Sequence, residues 1–254
     1  MMNVAMVLPA AGQGTRFGGD KLSRDLDGRP LLVRTVEVFT KRAEVSQIIV
    51  AGPPQGFDEF SERFGPVLGF HGATLVPGGE RARWETVRAA LSHVDPACTH
   101  VGVHDAARPC VSPSLLDRIF EAASQLDAVV PGIPLSSTLK EVALDQSENV
   151  AAADALADSI LGEDSAQAIQ ATPVLRTVSR APLVAAQTPQ IFARALICEA
   201  YAQVDPEGAT DDAEIVARYG QQVHVVDGDP RNLKVTRPED LDMALAMIRQ
   251  GLLR

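Results

Sequence analysis

The chain has 254 residues, a length that suits one large α/β domain or a domain with an appendage. Of these residues, 46% are hydrophobic and 22% are charged, as in a soluble globular protein. Its net charge of −10 argues against non-specific nucleic-acid binding, because such binding needs a basic face. No apolar run approaches the ~20 residues that a membrane-spanning helix needs, and we expect no signal peptide before the first strand. Three scattered cysteines, Cys98, Cys110 and Cys198, fit a reducing compartment. We therefore expect a cytoplasmic protein without nucleic-acid or membrane partners.

The first motif runs from Val4 to Lys21. Five apolar residues, 4–8, predict a buried parallel strand. The residues that follow are small or lack an N–H, and they leave main-chain groups accessible to an anion. These residues are Pro9, Ala10, Ala11, Gly12 and Gly14. Because Arg16 and Lys21 place two cations just beyond this loop, the motif predicts a nucleoside triphosphate site.

Other phosphate-binding turns fit this stretch less well. A dinucleotide-binding turn needs a third glycine where Phe17 stands, and an acidic residue near Ala51 that is not there. A Walker loop needs Gly-Lys-Ser or Gly-Lys-Thr, which the stretch lacks. An ordinary strand-to-helix turn is the remaining alternative. The two cations favour an anion site over it, because Arg and Lys beside bare amides suit anion recognition.

Predicted strands and helices then alternate along the chain. The predicted helices are 30–40, 57–64, 84–94, 114–126, 191–203, 211–219 and 238–249, and the predicted strands are 47–51, 74–76, 100–104, 128–133 and 222–226. This order predicts a single α/β domain over 1–254 with a doubly wound, mostly parallel, Rossmann-like sheet. Gly12, Gly78 and Asp105 all follow predicted strands. Because ligands bind at the carboxyl ends of such strands, we expect these three residues to share one site.

The alternation stops between residues 134 and 182. Segments 135–142 and 170–178 are predicted to pair as two strands of a projecting β-arm, with a candidate helix at 151–161 inside the intervening piece 149–167. Two strands have too little core to stand alone and commonly pack on another subunit. The segment is therefore predicted to be an arm for dimerisation, and a mobile surface insertion is the alternative.

Four smaller features carry candidate chemistry. Asp105 ends an apolar strand, where a lone carboxylate binds Mg²⁺ mainly when phosphates complete the octahedron, and otherwise caps the next turn. Gly78–Gly79 forms a second glycine turn that can pack against a base and a ribose. Lys234 and Arg180 are single cations, and a single cation is usually a solvated surface charge. Thr236 is predicted as the N-cap of the last helix.

Several motifs together resemble one known family. In chain order they are Pro-Ala-Ala-Gly-x-Gly-x-Arg at 9–16, Lys21, Gly78-Gly79 with Arg83, His-Asp-Ala-Ala-Arg-Pro at 104–109, Thr-Pro-Gln at 188–190 and Lys-Val-Thr-Arg-Pro-Glu-Asp at 234–240. The set resembles the 2-C-methyl-D-erythritol 4-phosphate cytidylyltransferases of the non-mevalonate isoprenoid pathway. The glycine loop alone marks only the wider nucleotidyltransferase group, whereas the motifs at 104–109 and 234–240 are much more specific. The resemblance covers nearly the whole chain except 149–167.

The resemblance implies transfer of CMP from CTP to a sugar-alcohol phosphate, with Mg²⁺ held by Asp105. The residues it implies as catalytic are Arg16, Lys21, Lys234 and Arg180. Those it implies for nucleotide binding are Pro9, Ala10, Ala11, Gly12, Gly14, Gly79, Arg83, Thr86 and Asp105. Those it implies for acceptor binding are Thr138, Arg108, Arg180 and Thr188. It also implies a homodimer in which the 134–182 arm, with Thr138 and Arg180, reaches the other subunit's acceptor site.

Two departures from the family pattern bear on the acceptor. Asp20 stands where proline is usual before the lysine, and Ser179 stands where aspartate is common before the arm arginine. A D-ribitol-5-phosphate cytidylyltransferase would share the catalytic motifs and differ in acceptor contacts, so this alternative stays open. A nicotinamide-dependent oxidoreductase of Rossmann type is the alternative from another class, and it lacks the glycine and the acidic residue described above.

Overall fold

The computed structural model describes residues 2–12, 14–150 and 169–253. Its chain divides into two compact units, one of Met1–Ile133 with Ala186–Arg254 and one of Pro134–Ala185. The second unit begins at the predicted boundary of the arm and ends at Ala185 instead of residue 182. Within the described ranges, no helix is long and apolar enough to cross a membrane.

The described residues form twelve strands and seven α-helices. The strands are β1 (Val4–Pro9), β2 (Val45–Gly52), β3 (Ala73–Pro77), β4 (His100–Val103), β5 (Ala128–Pro134), β6 (Leu139–Val142), β7 (Glu148–Val150), β8 (Ile169–Ala171), β9 (Val174–Val178), β10 (Val184–Ala186), β11 (Gln190–Ala193) and β12 (His224–Asp227). The helices are α1 (Leu31–Phe39), α2 (Phe57–Phe70), α3 (Arg83–Leu91), α4 (Pro113–Ala123), α5 (Arg194–Gln203), α6 (Asp212–Arg218) and α7 (Pro238–Arg249).

The first unit is built on a mostly parallel sheet with the order β3-β2-β1-β4-β11-β5, and β12 pairs with β5. Strand β1 lies parallel to both β2 and β4, and β11 is antiparallel to β4 and β5. The predicted helix 191–203 is therefore wrong over its first residues. Ile191 and Phe192 are completely buried within the sheet. A short apolar run of this kind is compatible with either element, and burial between two strands decides it.

Helices cover both faces of this sheet, as a doubly wound fold requires. Along β1, Met6 and Leu8 join a core cluster with residues of α1, α2, α4 and α7. The alternate residues Ala5 and Val7 join a second cluster with residues of α3, α5 and α6. The continuous apolar run of β1 follows from this burial on both sides. The predicted fold class is confirmed.

Two predicted helix ends differ from the structure for local reasons. Helix α2 continues to Phe70 through Pro66, although a proline usually ends a helix, because Leu68 beyond it is completely buried in the core. Helix α7 begins at Pro238, but its N-cap is Arg237 and not Thr236. The carboxylate of Asp240 accepts the N–H groups of both Thr236 and Arg237, so an acidic side chain inside the helix makes the capping contacts.

The second unit contains short antiparallel pairs. The predicted pairing of 135–142 with 170–178 is realised as β6 with β9, in which Leu139 is opposite Val178. Strand β8 pairs separately with β7. The candidate helix at 151–161 lies outside the described residues. Several apolar side chains of this unit are exposed, among them Leu144, Ile169, Val174 and Leu175.

Candidate active site

A cavity of about 470 Å³ lies at the carboxyl end of the sheet in the first unit. Four loops line it, at 9–22, 79–86, 105–107 and 234–236. Three of these loops follow β1, β3 and β4. Gly12 and Asp105 line one cavity as predicted, whereas Gly79 lines it in place of the neighbouring Gly78. The size is that of a small-molecule site.

The loop after β1 presents bare main chain to this cavity. A Cβ built on Gly12 meets nothing within 4 Å, so no packing demand of the protein explains that glycine. Gly14 has a φ of 65°, and a Cβ there would lie 2.2 Å from the carbonyl oxygen of Gly19. Gly14 is therefore required by the turn itself, whereas Gly12 leaves room for a ligand to approach the backbone.

Three predicted cations line the cavity. Arg16 is exposed. The Lys21 Nζ donates to the carbonyl of Val235 at 3.0 Å, and the Lys234 Nζ lies 3.0 Å from Asp105 Oδ2. Burial lowers the pKa of Lys21, and the neighbouring charge of Lys234 lowers it further. Anionic phosphate oxygens in this cavity would relieve that unfavourable arrangement of like charges.

Asp20 holds the backbone beside Lys21. Its Oδ1 accepts the N–H groups of Leu22 and Ser23 at 3.2 and 3.3 Å, and its Oδ2 accepts from Arg63 at 2.7 Å. A turn of this kind is a normal alternative to a proline turn. The substitution at position 20 is therefore compatible with a Lys21 side chain that reaches the cavity wall.

Asp105 is the acidic centre of the cavity. Its Oδ2 contacts Lys234 Nζ at 3.0 Å and Arg108 Nε at 3.1 Å, and its Oδ1 lies 3.6 Å from Arg83 Nε. Burial alone would raise the pKa of Asp105, but the charges of Lys234, Arg83 and Arg108 outweigh it and hold the pKa well below the usual range. The carboxylate is ionised at neutral pH.

The donor set suits a divalent cation only in combination with phosphates. Within the described part of the chain, no group of three or more His, Cys, Asp or Glu side chains could hold a metal ion. The long contact from Arg83 leaves Oδ1 of Asp105 with room for another partner. One carboxylate completed by phosphate and water oxygens is a normal Mg²⁺ site, so Asp105 fits that role.

The second glycine turn is shaped by close packing on α3. A Cβ on Gly78 would lie 2.9 Å from the Gly52 carbonyl oxygen, and one on Gly79 would lie 2.1 Å from the Glu85 Cβ. The buried Thr86 accepts the N–H of Gly79 at 3.2 Å. Gly79, Arg83 and Thr86 all line the cavity, and their part in nucleotide binding stays a prediction.

Two residues predicted for the acceptor are placed underneath Asp105 and not on the cavity wall. The mostly buried Arg108 contacts Asp105 and donates to the carbonyl of Asn232 at 2.7 Å. Thr188 is buried, and its Oγ1 accepts the N–H of Asp105 at 3.0 Å. In this structure both residues support the loop that carries Asp105, so they act on that carboxylate and its backbone.

His104 contacts both of these residues, Arg108 and Thr188, beneath the loop that carries Asp105. Its Nε2 lies 3.0 Å from the carbonyl of Arg108, and its Nδ1 lies 3.1 Å from Thr188 Oγ1. Burial lowers the pKa of His104 to about 4, so the ring is neutral at pH 7. A carbonyl can only accept, which places the ring proton on Nε2 and leaves Nδ1 to accept from the Thr188 hydroxyl.

Thr138 and Arg180, the other residues predicted for the acceptor, belong to the second unit. Thr138 is exposed, and the Arg180 guanidinium donates to the carbonyl of Ser136. Their part in acceptor binding stays a prediction.

Two polar residues behind the cavity wall, Asp212 and Tyr201, were not predicted from the sequence. Asp212 is completely buried, and its Oδ2 lies 2.7 Å from Arg83 Nη2. The Tyr201 hydroxyl donates to Asp212 Oδ1 at 2.6 Å. The adjacent pair Asp211 and Asp212 was the available signal. Asp211 caps α6, which leaves Asp212 without a local role.

The comparisons with known proteins agree on one family. The family model described as 2-C-methyl-D-erythritol 4-phosphate cytidylyltransferase matches residues 4–153 and 143–250. A relative with that name from Frankia casuarinae is 40% identical, and the match covers 96% of this chain and 81% of the relative. One from Rhodopirellula baltica is 35% identical and covers 98% and 96%. The crystal structure of the protein with that name from Thermus thermophilus has a TM-score of 0.69 at 31% identity, covering 98% and 100%.

Proposed function

The chain belongs to the 2-C-methyl-D-erythritol 4-phosphate cytidylyltransferase family, and from this premise we propose that it transfers CMP from CTP to 2-C-methyl-D-erythritol 4-phosphate. The products are 4-CDP-2-C-methyl-D-erythritol and pyrophosphate, in isoprenoid precursor biosynthesis. The observation that carries the proposal is the cavity at the strand ends. There Arg16, Lys21 and Lys234 line the same cavity as one ionised carboxylate, Asp105, beside main chain that a ligand can approach.

The reaction needs little proton transfer. A phosphate oxygen of the acceptor forms a bond to the α-phosphorus of CTP, and the bond from that phosphorus to the oxygen it shares with the β-phosphorus breaks, so that pyrophosphate leaves with that oxygen. The attacking phosphate monoester is already ionised at neutral pH, so a general base has little to do. Catalysis therefore depends on alignment of the two substrates and on neutralisation of charge.

The three cations supply that neutralisation. Lys21 is partly removed from water beside Lys234, and a triphosphate offers the Lys21 ammonium group a stronger partner than the Val235 carbonyl. Lys234 is held by Asp105, which keeps its ammonium group at the cavity wall before the substrate arrives. Arg16 is exposed at the cavity, so its side chain can adjust its position to the phosphates as they react. Groups placed in advance stabilise developing charge most effectively.

Asp105 is the residue that would hold Mg²⁺, together with oxygens of the triphosphate. Bound there, the ion would offset negative charge on the phosphates. Thr188 and His104 fix the backbone of Asp105 from below, and Arg108 contacts its carboxylate. The protein's own contribution is a carboxylate held in one orientation.

We expect the nucleotide site to prefer a small base to a large one. The main chain of residues 10–12 and of the turn at 79–86 lines the cavity and would read cytosine. We expect CTP to be preferred to UTP through its exocyclic amine, and both pyrimidines to be preferred to ATP and GTP.

The second unit is proposed to complete the acceptor site of another subunit. The exposed apolar side chains of this unit, such as Leu144 and Leu175, suit contact with a second copy. The partner subunit's Thr138 and the partner subunit's Arg180 would then meet the acceptor, with the Arg180 guanidinium on its phosphate.

The test is pyrophosphate release with four nucleoside triphosphates and two acceptors, 2-C-methyl-D-erythritol 4-phosphate and D-ribitol 5-phosphate. We expect turnover with CTP and the methylerythritol phosphate. Faster turnover with ribitol phosphate would keep the cytidylyltransferase chemistry and change the acceptor. Equal turnover with ATP or GTP would contradict the proposed nucleotide site.

A further inference from the structure

A polar cluster of Arg83, Asp212 and Tyr201 lies directly behind the cavity wall. Arg83 begins α3, and its guanidinium is shared by two carboxylates. The contact with the buried Asp212 is 2.7 Å, whereas that with Asp105 in the cavity is 3.6 Å. The shorter distance indicates that the Arg83 guanidinium interacts more strongly with Asp212 than with Asp105.

Asp212 is itself fixed from the other side. Its Oδ1 accepts from the Tyr201 hydroxyl at 2.6 Å. Burial raises the pKa of Tyr201, and the charge of Asp212 raises it further, so the phenol remains a donor at neutral pH. The carbonyl of Tyr201 accepts from Arg88 Nη2 at 3.1 Å, which ties α5 to α3. Both helices thus contribute to the position of Arg83.

Stability alone is a weak reason for this cluster. A buried ion pair gives up the hydration of both charges, and apolar residues of similar volume often stabilise a protein as well or better. Burial lowers the pKa of Arg83, but the charges of Asp212 and Asp105 outweigh it and raise the pKa overall. A full positive charge is therefore maintained at the cavity wall.

We propose that Asp212 is a positioning residue, which holds the Arg83 guanidinium ready for a bound nucleotide and prevents it from closing onto Oδ1 of Asp105. The inference rests on the proposed function, because it assigns Arg83 to the CTP side of the cavity. Without the charge of Asp212, the carboxylate that remains in contact with Arg83 within the described residues is Asp105. Closure of that pair would remove a cation from the nucleotide and cover the oxygen that a ligand needs.

The decisive variant is Asp212→Asn, which keeps the size and an acceptor for Tyr201 but loses the charge. Trp84 is the single tryptophan of the chain and follows Arg83, so its fluorescence can report CTP binding without an acceptor or turnover. The CTP dissociation constant is expected to rise roughly 10-fold or more, the fold-change of one charge-assisted contact.

The adjacent Asp211→Asn variant is the matched control. Asp211 caps α6 by accepting the N–H of Glu214 at 2.9 Å, and its other contact is with Gln190. Its CTP dissociation constant should stay within about twofold of wild type, as for substitutions away from a site. Equal weakening by both variants would overturn the proposal, because a general disturbance of α6 would then explain both.

A double variant separates positioning from a merely structural role. If Asp212 acts through Arg83, adding Asp212→Asn to Arg83→Met should change CTP binding by less than about twofold. Additive losses would contradict the inference.

If Asp212→Asn does not fold, Tyr201→Phe is the variant to measure. Its CTP dissociation constant is expected to rise roughly threefold, because one hydrogen bond to Asp212 is lost, and an unchanged dissociation constant would contradict the proposal. A wild-type protein that does not bind CTP would overturn the proposed function as well, whereas normal CTP binding by both wild type and Asp212→Asn would overturn only this inference.

Discussion

The two units of the chain differ in how completely they bury apolar and charged side chains. In the first unit, the apolar residues of β1 are fully buried, and the buried charges Asp105 and Asp212 each contact at least one cation. In the second unit, Leu144 is 79% exposed and Leu175 is 58% exposed. The first unit therefore buries a core of its own around β1, whereas the second presents apolar surface that another chain can cover.

The ion pairs of the two units show the same difference. The Arg176–Glu141 pair on β9 and β6 is 2.6 Å long, but both side chains are well exposed. Exposed pairs of this kind contribute little to stability. The Arg83–Asp212 pair has a carboxylate with no exposed surface. This buried pair of the first unit holds a residue of the cavity wall in place, so substitutions there are expected to act on the nucleotide site, whereas those in the second unit are expected to act on the acceptor.

The largest effect is expected from removal of a cavity cation. Lys21→Ala should lower turnover by about 10²–10³, the usual loss when one group that stabilises developing charge is deleted. Lys234→Ala should fall in the same range. Steady-state pyrophosphate release with saturating substrates measures this, and circular dichroism checks the fold.

Lys41→Ala is the matched control for these lysine variants, because Lys41 is exposed and lies outside the cavity lining. Its turnover should equal that of wild type. Near-normal turnover of Lys234→Ala would show that the role assigned to Lys234 is wrong.

A change in the second unit should act on one substrate only. Arg180→Ala is expected to raise the KM for the acceptor roughly 10²-fold, because a charge-assisted contact with its phosphate is lost. CTP binding should hardly change. Arg180→Lys should restore little, since the planar fork of arginine is missing.

The control in the same unit is Arg176→Ala, which removes an exposed arginine paired with Glu141. Its acceptor KM should remain close to the wild-type value. If Arg176→Ala and Arg180→Ala raise the KM equally, the effect is one of overall charge and not of a specific contact.

The smallest effect concerns acid stability of the first unit. Burial alone would raise the pKa of Asp229, but hydrogen bonds from Arg231 and Ser112 outweigh it and lower the pKa to about 2. Because the folded pKa is depressed, the stabilisation is complete above the unfolded value of about 4 and is lost as the pH falls from there to about 2. This loss corresponds to roughly 2 kcal/mol in the free energy of unfolding.

Denaturant unfolding at pH 5 and at pH 2.5 checks this, with Asp229→Asn as the comparison. The advantage of wild type over the variant should be present at pH 5 and should shrink at pH 2.5. An advantage that is the same at both pH values would contradict the assigned pKa.

The sequence predicted most of the fold and the cavity for physical reasons. The glycine loop and Lys21 combine residue types that suit an anion site, Asp105 ends an apolar strand, and parallel strands bring their carboxyl ends together. Lys234 was assigned through the family resemblance. Strand β11 was missed because a short apolar run does not distinguish strand from helix. That distinction depends on neighbours far away in sequence.

Contacts between segments that are distant in the chain could not be predicted from the sequence either. Nothing near Arg83 indicates that its partner is Asp212, and nothing near Arg108 indicates that it reaches Asn232. A cation in a motif can face a ligand or support a carboxylate, and only the packing distinguishes the two. For the arm, the pattern predicted pairing strands, and the role in a dimer stays a prediction.

The central claim is that the cations of one subunit and the arm of another form one working site. The direct measurement mixes two impaired proteins, Lys21→Ala and Arg180→Ala, under conditions where subunit exchange is demonstrated. A mixed dimer then has one site with both residues intact. We expect activity to return to about half of the wild-type value per mixed dimer, because one of two symmetry-related sites is whole. If subunits exchange and no activity returns, the shared site does not exist, and the second unit is a surface insertion.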